Sequence, residues 1–321
     1  NSTTEAFVDA SSTIDANGNV TVSAHSGNID GNGSKILSVA GAGGVVGLSA
    51  SVAVLKDTST TSAYLGDSVD VIDAAKLTVS ATTDRKASTE TWGATAGVAA
   101  IGASVAVATF DGSTSAVLGA GVHSGADSVE VSATDDSVAN AWSRAGSAGV
   151  VAGSGSVATA EVTSKVTAEI GDLADVDATG DVDVLATSRA STKADAIGIN
   201  IGAGAVGASV ATANSGAKVH AEVGENASIT GKSFDLIAKR DVKDGAPTAQ
   251  AYALGAAGGL LLGANATVAT AKSTGETVSA VGTGSTITTI GAGIAAVKAE
   301  STSLQSATGL GFASGVLSVG A

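Results

Sequence analysis

Carboxylates are the side chains here with most chemistry to offer. The stretch GDLADVDATGDVD at 171–183 holds Asp172, Asp175, Asp177, Asp181 and Asp183, and GDSVDVID at 66–73 holds Asp67, Asp70 and Asp73. Facing carboxylates bind calcium when carbonyls complete a shell of about six to eight oxygens. A pair at the right separation also does the acid and base work of glycoside hydrolysis. Against both stand the missing Gly-Gly-x-Gly-x-Asp calcium repeat and the Ser, Ala or Gly at matching positions elsewhere. Asp is also common at corners because its side chain bonds nearby backbone. The expectation is solvated corners, with Asp172, Asp175, Asp177, Asp181 and Asp183 as the calcium candidates and no other metal or cofactor.

Nothing else suggests catalysis, and the chain is expected not to be an enzyme. His25, His123 and His220 fall at three different offsets within the repeat described below, as surface histidines would. The GxSxG, HExxH, phosphate-loop and paired-Cys signatures are absent. Two Trp, two Tyr and four Phe are too few and too scattered to line a sugar cleft. Trp92 and Trp142 sit at comparable places in neighbouring repeats, where they would cover one edge.

Positioning these residues falls to an unusual scaffold. The apolar share is 44%, but it is mostly Ala and Val beside 43 Gly, so each residue buries little area and stability must come from many thin, regular layers. A formal net charge of −14 argues against nucleic acid and anionic surfaces as partners. No polar-free run reaches the roughly 18 residues of a membrane helix, and ALGAAGGLLLGANA at 253–266 is too short, so membrane insertion is not expected.

Repetition is the dominant signal. Val52, Val105, Val157, Val210 and Val268 are 53, 52, 53 and 58 residues apart, each preceded by a small hydroxyl residue: Ser51, Ser104, Ser156, Ser209 and Thr267. A second column, Val20, Leu77, Val129, Val182 and Phe234, runs through NVTVSA, KLTVSA, SVEVSA, DVDVLA and SFDLIA. Period-two alternation punctuated by Gly, Asn and Asp marks strands. The fold class is therefore all-β, a β-solenoid. Because the two columns resemble each other, the 53-residue repeat reads as two similar turns, giving about ten coils of about 26 residues. The alternative is one broad coil per repeat with strands near 18 residues, longer than the usual ~3–10. Val105, Val157 and Val210 are expected to point inward, stacking through the intervening coils, with the serines forming hydroxyl ladders along the axis.

The phrase ATGDVDVLA at 178–186, echoed by ANGNVTVSA at 16–24 and followed by AVGASVA, resembles the repeats of large bacterial filamentous adhesins, of the filamentous-haemagglutinin-like and leukotoxin-like kinds. The resemblance implies a β-helical fibre, extracellular or at the cell surface.

Residues 1–11 match 58–68 in type, and 313–321 parallel 41–50, so residues 1–321 read as a single repetitive segment starting and ending within a repeat. The function expected is a non-catalytic structural or adhesive fibre segment. Its partners would be itself, by end-to-end continuation or stacking, and a cell or matrix surface. The alternative is a surface-binding module for glycan or another extended surface, carried on a β-helical stalk.

Overall fold

The computed structural model describes residues 2–28, 33–243 and 245–321, and every regular element among them is a β-strand. Each circuit runs through three short strands and one long one. Thr60–Leu65, Asp70–Ile72 and Lys76–Asp84 lead into Lys86–Phe110, and the next circuit repeats them as Ser113–Leu118, His123–Ser124, Val129–Asp135 and Val138–Val162. Among the described residues equivalent strands pair in parallel, building three six-stranded sheets from the short elements and a seven-stranded sheet from five long strands with Gln305–Ser314 and Leu317–Gly320, numbered 1 to 4 in chain order.

Pairing sets the size of the coil. Val129 lies between Leu77 and Val182, and Val157 between Val105 and Val210, so a circuit takes the 52 or 53 residues separating these partners. The β-solenoid is present with the broad coil as its unit, not the 26-residue turn. The two columns that resemble successive coils lie in different sheets of one coil. No coil intervenes between Val105, Val157 and Val210; they are direct neighbours.

Sheets 1 to 3 enclose a prism whose filling follows the alternation. In sheet 3, Leu77, Val129, Val182 and Phe234 and the Val79, Val131 and Val184 row point inward, buried against Leu65, Leu118 and Ile170 of sheet 1 and Val71, Val176 and Ile229 of sheet 2. Each such side chain contributes about 1.5–3 kcal/mol by leaving water. At the corner between sheets 1 and 2, glycines stack as Gly66, Gly119, Gly171 and Gly224. A Cβ on Gly171 would stand 2.8 Å from the Gly119 backbone, which is why the column stays bare.

The long strand behaves differently. The Ser156 hydroxyl donates to the Ser143 carbonyl at 2.8 Å and lies 2.9 Å from the Ser143 hydroxyl. Thirteen residues of straight strand would span roughly 43 Å, so the strand folds back on itself. The fold lies at Gly97 and Val98 in one coil and at Gly149 and Val150 in the next, where the inter-coil register skips the residue at the bend. The result is a thin fin projecting from the prism. Its two halves approach closely: a Cβ on Gly93 would lie 2.7 Å from the Ser104 hydroxyl, and one on Gly198 would lie 2.8 Å from that of Ser209.

This geometry reverses the expected orientation of the SVAV column. Ser51, Ser104, Ser156 and Ser209 are buried inside the fin, while Val105, Val157 and Val210 face outward and are only partly covered. A gap that admits Gly, Ala and Ser excludes a row of Val. The hydroxyl ladder is realised between Ser51 and Ser104, 2.9 Å apart. Ser104 and Ser209 also cross the gap, to the Arg144 and Leu254 carbonyls, at 2.9 and 2.8 Å.

Candidate functional site

The five candidate calcium ligands are spread over a corner and two sheets. The Asp172 carboxylate accepts the Glu225 backbone N–H of the next coil at 2.7 Å, tying successive corners together. Asp175 and Asp177 point outward from sheet 2, and Asp175 lies 3.4 Å from His123. Asp181 and Asp183 belong to sheet 3, where Asp181 accepts the Ser233 hydroxyl at 2.7 Å. Among the described residues no group of three or more His, Cys, Asp or Glu side chains is placed to hold a metal ion. The three histidines occupy three sheets: His220 in sheet 1, His123 in sheet 2 and His25 in sheet 3.

What sheet 3 does assemble is a carboxylate row. Glu130, Asp183 and Asp235 are in register on adjacent strands, facing outward, with Lys76 pairing to Glu130 at 2.6 Å. Partial burial pushes the Asp183 carboxyl above its ordinary value, and repulsion from Asp235, Asp181 and Glu130 adds to the rise. In sheet 1, burial followed by Glu222 and Asp172 raises Glu169 in the same way. These rows concentrate negative charge on the faces of the prism.

Between the prism core and the alanine-rich base of the fin runs a buried polar seam. Arg85 pairs with Asp57 at 3.1 Å and bonds the Ser26 hydroxyl. Thr83 bonds Thr61 at 3.0 Å and Thr114 at 2.7 Å, and fully buried Asp135 accepts the hydroxyls of Ser137 and Ser164. Burial pushes the Asp135 carboxyl up, against the pull of those hydroxyls. Burial also pushes Asp57 up, but the Ser59 hydroxyl and N–H, together with Arg85, carry it below its ordinary value. The seam encloses about 10 Å³, too little for any substrate. It has a sequence signal: Ser26, Thr83, Asp135, Ser188 and Arg240 form one in-register column, at inward positions that alternation reserves for Val and Ala.

The outer surface of the fin is the other concentration of unusual groups. Near its bend Val98, Ile101, Val150, Val151, Ile201 and Val206 are each more than half exposed, although coils flank them on both sides. Where the fin meets the prism the character changes. Trp92 donates to Glu90 at 2.8 Å and lies under the Arg144 guanidinium, 4.6 Å from its ring centroid. Trp142 donates to Asp195 at 3.0 Å. The indole bond to Glu90, with help from Lys35 and Arg144, holds that carboxyl below its ordinary value. The two Trp side chains therefore do cover one edge of neighbouring repeats, the base of a fin flank. The inversion that exposes the aliphatic rows has no signature in the alternation itself, which is the same in the prism.

No protein-family model matches the chain, and neither a curated protein nor a solved structure matches it.

Proposed function

We propose that the chain is a non-catalytic structural segment of an extracellular or cell-surface fibre of the filamentous-adhesin kind, its coils continuing along the axis. The observation that supports this most directly is register. In the three sheets of the prism equivalent residues of successive coils pair one to one, from Thr3 with Thr60 to His220 with Val278, and the long strands keep the same order on either side of their bends, with one register shift at Gly202. Each coil thereby offers the next an almost identical cross-section, and function is carried by rows running along the axis. The carboxylate rows and the fin belong to that repeating surface, and the acidic prism discourages clumping side by side.

Each coil advances the axis by only about 4.8 Å, so a long fibre of this build requires many coils, in one long polypeptide or in stacked copies. Imaging of the native material together with intact mass tests the reading. Rods of constant width, longer than six coils, are expected, from a polypeptide far above 30 kDa or from stacked chains of that mass. A 30 kDa monomer with no rods under native conditions overturns it.

A further inference from the structure

We propose that the fin is a lipid-inserting edge: its rim enters the acyl-chain region of one bilayer leaflet, and its aromatic base stops at the headgroups. The inference concerns a surface that the fibre reading leaves unused, and it stands without that reading.

The fin is built inside out for water. Its interior is Gly, Ala, Ser, Thr and Asn, while its outward rows carry Val, Ile and Leu. Residues 36–55, 91–109, 145–160, 196–217 and 245–271, one run per long strand, contain no Asp, Glu, Lys or Arg. Both flanks and the rim are apolar together. Ile199 and Ile201 lie on one flank, Ile101 and Val206 on the other, and Val98 and Val150 at the bend. A partner sheet, or a second copy of this chain, would cover one flank and leave the rim and the other flank in water. A surrounding apolar medium covers all three.

Backbone chemistry fits the same environment. Hydrocarbon tolerates strands only when N–H and C=O groups are paired, and the long strands inside the stack, Lys86–Phe110, Val138–Val162 and Ser191–Ser215, pair with a neighbour on each side along both halves, the residue at each bend apart. Near the bend the polar side chains Thr95, Ser147, Ser154 and Asn200 point into the fin, away from the tails. On one flank the outward glycines Gly153 and Gly155 leave a trough of about 510 Å³ bordered by Ile101, Val151, Val206 and Leu262, shaped to receive apolar chains.

The boundary of the apolar zone is marked. Trp142 lies in register with Glu90 and Asp195, Tyr252 follows Asp195, and Trp92 lies beside Arg144. Lys35 and Lys193 form the next row toward the prism. Trp and Tyr followed by charge is the pattern of a membrane interface, where amphipathic rings sit among headgroups. Trp92 is six residues from Val98, roughly 20 Å along the strand, against a leaflet hydrocarbon depth of about 15 Å. No helix among the described residues is long and apolar enough to cross a membrane. A helix-length criterion does not bear on a folded-back strand, whose outward rows alone meet the lipid.

The test uses the 321-residue chain, phosphatidylcholine vesicles and the two native Trp reporters. Wild type is expected to float with the vesicles, to stay bound in about 1 M salt where charge attraction is screened, and to lose Trp fluorescence more to lipids brominated near the headgroup than at the chain end. The pair Val98→Asp and Val150→Asp, on exposed positions that leave the core intact, lowers vesicle binding about tenfold or more. Leu173→Asp, exposed at a corner of the prism, leaves it unchanged, and equal melting temperatures confirm that all three proteins are folded. Failure of wild type to float, or flotation unaffected by the paired charges, overturns the proposal. So does a vesicle-independent dimer abolished by the same pair, which would give the fin to a second copy.

Discussion

Prism and fin are made from nearly the same phrase and use it in opposite senses. In SVEVSA, Val129 and Val131 enter the core and Glu130 meets water; in GSVATA, Ser156 and Ala158 enter and Val157 stays outside. The difference is the space behind each strand. Three sheets around a prism leave room for Leu, Ile and Phe, whereas a strand folded on itself leaves a gap closed by Gly, Ala and hydroxyls. Alternation therefore defines two faces without saying which is inside. The width of the enclosed layer makes that choice.

Charge is the sharpest way to break the comparison. Val131→Asp buries a carboxylate in the prism and is expected to cost about 4 kcal/mol or more, while Val157→Asp, outward on the fin, stays within about 1 kcal/mol. Denaturant unfolding of the two variants reads the contrast. Equal losses would mean that the valines face the same way.

A covalent bridge tests the coil that creates both regions. Thr159 and Thr212 are outward neighbours in register, so Thr159→Cys with Thr212→Cys should oxidise readily and add about 3 kcal/mol by closing a long loop. A 26-residue coil would separate them by about 9.6 Å, beyond disulfide reach. Failure to form the bridge in a folded variant would refute the 53-residue circuit.

Smaller effects probe how each region is closed. Gly171→Ala pushes a methyl against the Gly119 backbone of the prism corner and should lower stability by about 2 kcal/mol. Ser156→Ala removes the hydroxyl that joins the halves of the fin and should cost about 1 kcal/mol. Both are measured by thermal unfolding, and a stabilising result for either would show that its neighbours are more loosely packed.

The smallest effect concerns the carboxylate row. The Asp183 pKa is raised in the folded chain, so its ionised form weighs against folding above the folded value, and that cost disappears as pH falls through it. Asp183→Asn should raise the melting temperature by about one degree at pH 7. The gain should vanish at pH 3, below the unfolded carboxyl value. A gain that persists at pH 3 would have a cause other than charge.

Period-two alternation, the Gly and Asp corners and the recurrence every 53 residues determine an all-β solenoid from the sequence alone, because strand geometry and parallel stacking are local and repeated. The Val129 column and the corner position of Asp172 were legible for the same reason, whereas the tie from Asp172 to the Glu225 N–H, 53 residues on, was not. The polar seam was partly legible, since Asp135 and Arg240 break the inward pattern at one register position. The circuit length was not, because two similar phrases can stack on each other or belong to different sheets of one coil, and only the pairing of Val157 with Val105 and Val210 decides. The fin was hidden as well. In one coil the bend at Gly149 and Val150 brings Ser143 and Ser156, thirteen residues apart, into hydrogen-bonding distance, and that contact, absent from any local pattern, turned the serines inward and left the aliphatic rows outside.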